Sequence, residues 1–314
     1  MGFNRHLGVR RLNTGTLSSL RGEVDRIRLD RQHGARELAR MALQALTRML
    51  NRFKSRDERE LTGFLSLAVK ALGEARPSMA SISNSLYAVA YRALNAEERG
   101  LKESIAHEVN VQLRLLDDSV KAVASNVANL VVGGDTVMTC SYSSTVLAAL
   151  IEASRLGRRF RVLALRSPSL DGSIDYGDMM RKKLLLERVE TRVVDVSQVE
   201  KWMEEVDLAV VGADSIFPDG SALNGTPTLT LANRAEAHEA PFHVACETWK
   251  INPLPLMGFK QTVEPGMDVV SAKLIKSIVT EHGEIAPSKI REYAHMYLKR
   301  LEYVWNVLRF EDPT

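Results

Sequence analysis

The sequence predicts an α/β protein in which a helical amino-terminal domain, residues 1–125, precedes a doubly wound parallel-sheet domain, residues 126–314. Three observations predict it. Apolar residues recur at helical spacing as far as about residue 130; beyond Gly133 short, mostly β-branched apolar runs alternate with helical stretches. The chain also has 314 residues, room for two ordinary domains at roughly 150 residues each.

In chain order, Leu38, Met41, Ala42, Ala45 and Met49 recur at steps of three and four, a stripe that would face a core. A second helix is expected over about Asp57 to Leu72. Pro77 then opens Ser78 to Leu94, whose Ser, Asn and Ala content suits a tightly packed or irregular helix. The strongest periodicity follows. Leu101, Ile105, Val109, Leu116, Val120, Val123 and Val127 share one face of a long helix, with Lys102, Glu103, Glu108, Arg114, Asp117 and Lys121 toward solvent, and neither Gly nor Pro interrupts Leu101 to Leu130. Thr136 to Thr139, Phe160 to Leu165, Glu190 to Val194, Leu208 to Val211 and Phe242 to Ala245 read as strands buried on both faces. Helices fit between and after them at Ser144 to Leu156, Tyr176 to Leu186, Val199 to Glu204 and Thr228 to Glu239. Strands joined by crossover helices make a parallel sheet. A last helix, Ile290 to Leu308, follows Pro287 and Ser288, and its stripe of Tyr293, Tyr297, Leu301, Val304 and Leu308 suits a core or an interface.

Composition narrows the function. Hydrophobic residues are 45% and charged residues 26% of the chain, the balance of a globular protein rather than a disordered or disulfide-stapled one. A formal charge of +3 and 6% aromatics give no basic, stacking surface of the kind that binds nucleic acid directly. Cys140 and Cys246 stand far apart, as reduced thiols would, so a cytoplasmic location is expected. No apolar run would span a bilayer, and Met1 to Arg11 is basic with no apolar stretch after it, so neither export nor membrane insertion is expected. The seven histidines, His6, His33, His107, His238, His243, His282 and His295, show no metal-ligand spacing, and no metal or cofactor is expected. Glycine-rich dinucleotide loops, Walker loops and GxSxG elbows are likewise missing from the sequence.

Ligands of open parallel sheets bind beyond the carboxyl ends of the strands. After the first strand comes Thr139-Cys140-Ser141-Tyr142-Ser143-Ser144-Thr145, a run of hydroxyls and a thiol leading into a helix. Free N–H groups at that helix start could cradle an anion; the other reading is a Ser/Thr-rich cap. After the fourth strand, Asp214 lies among small residues, Gly212-Ala213-Asp214-Ser215, before a turn at Pro218-Asp219-Gly220. There it could transfer a proton, with its pKa raised if buried, or cap a turn. After the fifth strand, Glu247-Thr248-Trp249-Lys250 brings a cation to the same rim.

At these segments the chain resembles the initiation factor 2B alpha/beta/delta family, which also contains isomerases of methylthioribose 1-phosphate and ribose 1,5-bisphosphate. The resemblance rests on His33-Gly34-Ala35-Arg36-Glu37-Leu38-Ala39, Pro77-Ser78-Met79-Ala80, Thr139 to Val146, Val211 to Ile216, Asn224 with Thr228, Pro241 to Ala245, Glu247 to Lys250, and Ile278 to Gly283. It implies a helical domain joined to a Rossmann-like one. It also implies a homo-oligomer, dimers that build up to hexamers, and a translation initiation factor as a partner. The isomerases carry a Thr-His-Cys-Asn-Ser type motif whose Cys works with the Asp of Gly-Ala-Asp. Aligned on Thr139, this chain has Cys140 in the His place, Ser141 in the Cys place and Tyr142 in the Asn place, with Ser143 in register. It has His33 where they have an Arg that contacts phosphate, and Asn224-Gly225 where they have Asn-Lys. A charge-assisted phosphate contact contributes about 1.5 to 3 kcal/mol, so two missing cations weaken a bisphosphate site. The resemblance thus implies a binder of a phosphorylated sugar or nucleotide, regulatory or translation-linked, holding it through Gly34, Ser143, Ser144, Asn224 and Lys250. The alternative it implies is a sugar-phosphate aldose–ketose isomerase using Asp214, with Ser141 or a water in place of the thiol.

Overall fold

The structure, a computed structural model, describes residues 14–310; Met1 to Arg11, with His6, lies outside the described residues. These divide into two compact units. The first runs to Leu116 and includes the residues from Met296 onward; the second is Asp117–His295. Both boundaries fall inside helices, Leu101–Ala128 and Ile290–Leu308, and the join expected near residue 125 lies within the first of these.

The first unit is helical: α1 Thr14–Leu29, α2 Ala35–Arg52, α3 Glu58–Gly73, α4 Ala80–Leu94, the start of α5 Leu101–Ala128 and, much later in the chain, the end of α10 Ile290–Leu308. The stripe read on α2 is buried at Leu38, Ala42, Ala45 and Met49, and Met41 is half-buried. Asp57 is the N-cap of α3, its carboxylate accepting from the Glu60 N–H at 3.0 Å, as a helix start requires. The small residues of α4 explain its packing. Ser81, Ser85, Ala88 and Ala90 are buried along with Ile82, Leu86 and Val89, so neighbouring helices approach it nearly all round. On α5, Ile105, Val109 and Leu116 are buried as the periodicity predicts, whereas Glu108 is half-buried and pairs with Arg92 at 2.5 Å. The end of α10 packs within this unit: Ser66 Oγ donates to the Leu308 carbonyl at 3.0 Å, and Tyr91 meets Tyr303 edge-on.

In the second unit the expected strands and helices form within a residue or two of their predicted bounds: β1 Thr136–Cys140, α6 Ser144–Arg155, β2 Arg161–Leu165, α7 Tyr176–Leu186, β3 Glu190–Val194, α8 Val199–Met203, β4 Leu208–Val211, α9 Thr228–Ala237 and β7 Phe242–Ala245. Strands unread in the sequence complete it: β5 Ser215–Ile216, β6 Ala222–Gly225, β8 Met267–Val270, β9 Ser277–Thr280 and β10 Gly283–Ile285. The main sheet has the order β10-β9-β7-β4-β1-β2-β3, parallel except for β10 on β9. Strands β5, β6 and β8 form a separate antiparallel sheet. Val137, Val162, Val210, Ala245 and Val279 pack with Val146, Ala149 and Leu150 of α6 and Val123 and Val127 of α5 in one core. No helix among the described residues is long and apolar enough to cross a membrane.

One topological fact positions the site. From β1 the chain winds outward through β2 and β3, then returns to β4 on the other side of β1 and winds away through β7 and β9. The order therefore reverses between β1 and β4, and such a reversal opens a crevice beyond their carboxyl ends.

Candidate functional site

The loop after β1 enters the crevice through a tight turn. Ser141 has φ +60°, a left-handed conformation that costs a residue with a Cβ some strain. Ser167, just after β2, holds it: the Ser141 N–H donates to Ser167 Oγ at 3.0 Å, and that hydroxyl donates to the Leu165 carbonyl at 3.1 Å. Ser143 is the N-cap of α6, its Oγ accepting from the Val146 N–H at 3.3 Å. Ser144 is the first residue of α6, and the first-turn N–H groups of a helix have no partner within the helix. Both readings of this segment thus meet in one place, a Ser cap and a set of N–H groups at the switch point.

The loop after β4 approaches from the other side. Gly212 is required here, because a Cβ would lie 2.5 Å from Ser143 Oγ and 2.6 Å from Ser143 Cβ. Two residues on, half-buried Asp214 turns into the small sheet, and its N–H donates to the Leu223 carbonyl at 2.8 Å. The β5–β6 hairpin in this way folds Asn224 back beside Asp214. At Gly225 the approach is again close, a Cβ there being 2.7 Å from Ser141 Oγ. Asn224 Nδ2 donates to Thr228 Oγ1 at 2.9 Å, and Thr228 donates to the Gly225 carbonyl at 2.6 Å.

Cys140 faces this cluster from the side of α9. Its Sγ is 3.1 Å from Thr228 Oγ1; since the hydroxyl proton is committed to Gly225, the thiol is the donor. Burial pushes the thiol up to about 12. A thiol so protonated is neither a nucleophile nor a ready proton carrier at neutral pH.

The loop after β7 supplies the charged members. Lys250, expected as a rim cation, is buried, its Nζ 3.2 Å from Glu247 Oε2. Glu247 is buried too and accepts from Thr145 Oγ1 of α6 at 2.7 Å. Burial alone would lower Lys250, but Glu247, with Cys246 and Asp214 beyond it, holds the ammonium above its ordinary value. Burial alone would raise Glu247, yet the Lys250 charge and the Thr145 hydroxyl hold the carboxyl below its ordinary value. Glu281, after β9, fixes the same loop by accepting from the Thr248 N–H at 2.9 Å and from Thr248 Oγ1 at 2.5 Å.

Ser141, Ser143, Ser144, Asp214, Asn224 and Lys250 are all carried by the carboxyl-end loops of the second unit. Gly34 belongs to the first unit, where it is the N-cap of α2 and has extended backbone, φ −79° and ψ 173°. His33 beside it is bonded through Nδ1 to Asp30 at 2.8 Å. Sequence reasoning missed Ser167 and the roles of Thr145 and Glu247. The spacing of Glu247 and Lys250, three residues apart, was the available signal, since such residues share a face on a helical turn, and Thr248–Lys250 is one. Chemically the second unit's carboxyl-end loops combine hydroxyls, helix N–H groups, the Asp214 carboxylate and an ammonium balanced by Glu247.

A profile described as the initiation factor 2 subunit family matches residues 31–261. A translation initiation factor eIF-2B subunit 2-like protein of Pyrococcus horikoshii is 29% identical over 83% of this chain and 94% of its own length. A ribose 1,5-bisphosphate isomerase of Archaeoglobus fulgidus is 27% identical over 84% of this chain and 88% of its own. Among solved structures, a chain of the tetrameric eIF2B β2δ2 complex of C. thermophilum superposes with a TM-score of 0.74, covering 90% of this chain and 95% of that one. At 18% identity, this last likeness concerns the fold.

Proposed function

Because the chain belongs to the initiation factor 2 subunit family, we propose that it is an initiation factor 2B-like protein that binds a phosphorylated sugar or nucleotide over β1 and β4 and acts in a regulatory, translation-linked role. One observation carries this reading: the β1 loop presents the hydroxyl of Ser141, held against Gly225, while the neighbouring thiol of Cys140 is buried and protonated. A serine without an adjacent base is a poor proton carrier, so the site is built better for holding a ligand than for turning it over. The phosphate sits at the first turn of α6 with Ser143 and Ser144, and Asn224, Asp214 and Lys250 face the rest of the ligand. Family membership supports a homo-oligomer, a dimer or its assembly into hexamers, working in the cytoplasm with a translation initiation factor as partner.

A second reading has its own observation, the persistence of Asp214 within the field of Lys250, together with the isomerase among the relatives. In it the Asp214 carboxylate takes a proton from C2 of an aldose phosphate and returns it at C1, Ser141 or a water assisting at the oxygens. NMR of the purified protein with ribose, methylthioribose and hexose phosphates separates the two. Binding without conversion is expected. Conversion that Asp214→Asn abolishes would establish the isomerase, and absence of any binding would leave a structural subunit.

A further inference from the structure

The loop after β2 is braced by its own hydrogen bonds. The Ser169 N–H donates to the Ile174 carbonyl at 2.7 Å, and the Ile174 N–H donates to Ser169 Oγ at 3.0 Å. Asp171 accepts from Ser169 Oγ and from Ser173 Oγ, each at 2.7 Å. At the base, the Tyr176 N–H donates to the Ser167 carbonyl at 2.9 Å. The tip carries Leu170, which is 74% exposed, and the backbone it rests on belongs to another loop. Gly266, just before β8, has φ +81°, and a Cβ there would lie 3.2 Å from Leu170 Cγ and Cδ2. In the main sheet β2 lies on one side of β1 and β4, whose loop leads into the small sheet, on the other. The contact therefore crosses the carboxyl end of β1.

It completes a ring. The Ser141 N–H donates to Ser167 Oγ at 3.0 Å, the chain runs on to Leu170, Leu170 meets Gly266, the Gly266 carbonyl accepts from the Thr226 N–H at 2.9 Å, and Gly225 closes on Ser141 Oγ. The Leu170 link is one apolar side chain against a bare Cα, so it opens without breaking a hydrogen bond, and the bracing bonds keep the loop folded when it does. Ser141, Ser143 and Asp214, beside this ring, are partly exposed and open to a ligand.

We propose that Leu170 is a gate: seated on Gly266 it closes the β2 side of the crevice, and lifted off it lets ligand pass, so it sets the exchange rate and not the affinity. The inference rests on the reading of the crevice as a phosphorylated-ligand site and deepens it.

Two measurements on the full chain test it. In the first, a Ser141→Cys protein is labelled with iodoacetamide, a reading that needs no bound ligand; Cys140 and Cys246 are buried. Adding Leu170→Gly is expected to speed labelling about fivefold, whereas Leu170→Met, which keeps an apolar tip, leaves it within twofold. In the second, calorimetry and phosphorus NMR line shapes follow ribose 5-phosphate and adenosine 5′-monophosphate. For whichever binds, Leu170→Gly is expected to raise the dissociation rate about fivefold with the Kd within twofold of wild type. Leu170→Ala serves if the Gly variant does not fold. Equal labelling with and without Leu170→Gly overturns the gate, as does an unchanged dissociation rate or a loss of affinity in step with it. Binding of neither compound overturns the phosphorylated-ligand reading, and the labelling rates alone then decide whether Leu170 closes the crevice.

Discussion

Taking Glu247 and Lys250 out of water costs each its hydration, and their attraction recovers that cost only because Thr145 satisfies the carboxylate from the other side. Removing one partner is therefore far worse than removing both. Lys250→Met is expected to cost about 3 to 5 kcal/mol in urea unfolding, and the Glu247→Gln, Lys250→Met double variant clearly less. The pair also sets a pH window. Glu247 is held below its ordinary 4.5, so its contribution is complete above that pH and falls away as acid takes the pH through the lowered folded value. Lys250 is held above its ordinary 10.5, so its contribution is complete below that pH and is lost as alkali passes the raised folded value. Urea midpoints of wild type and double variant should thus differ most between these limits and converge beyond them. A constant difference across the whole range would show that the pair does not control stability.

Among the elements, the β1-to-α6 turn concentrates the most constraint. Ser143→Ala removes the N-cap of α6 and is expected to cost about 1 kcal/mol. Gly212→Ala is expected to cost about 1 to 3 kcal/mol, because the new Cβ meets Ser143 Cβ at 2.6 Å as well as its hydroxyl. Most of that cost should persist in a Ser143→Ala background, where the Cβ remains. Gly225→Ala should be milder, since Ser141 Cβ lies 3.4 Å away and only the hydroxyl must rotate. Urea midpoints of the four proteins give the comparison, and a Gly212→Ala cost that vanishes with Ser143→Ala would place the clash at the hydroxyl alone. The main strands β1, β2, β4 and β7 were legible because burial on both faces leaves mostly apolar runs; β3, expected to be buried on both faces, is instead the edge strand, with Glu190 and Arg192 exposed. Strands β5 and β6 were not: two to four residues of mixed character, Ser215–Ile216 and Ala222–Gly225, carry no period, and their pairing with β8 comes from contacts distant in sequence.

For the whole molecule, the testable consequence of family membership is assembly. Sedimentation velocity should give a mass of at least twice the 34.9 kDa chain, and a monomer at micromolar concentration would remove the proposed oligomer. The division into a helical and an α/β part was legible because the hydrophobic period changes near Gly133. That Met296 onward joins the first unit was not, because α10 is one unbroken helix whose sequence records an apolar stripe and not its partners. The same limit governs the crevice. Strand ends were enough to point to the Thr139–Thr145 segment, Asp214 and Lys250 as candidates, since the chain must turn at those points and a parallel sheet gathers its turns at one edge, whereas Ser141 and Ser143 were singled out within that segment by the family resemblance. Side-chain environment needed the fold: Cys140 bonded to Thr228 on α9, and Lys250 neutralised by a carboxylate that Thr145 of α6 holds in place. Periodicity reports which way a residue faces along its own element, whereas charge state and hydrogen bonding depend on what other elements bring within a few ångströms.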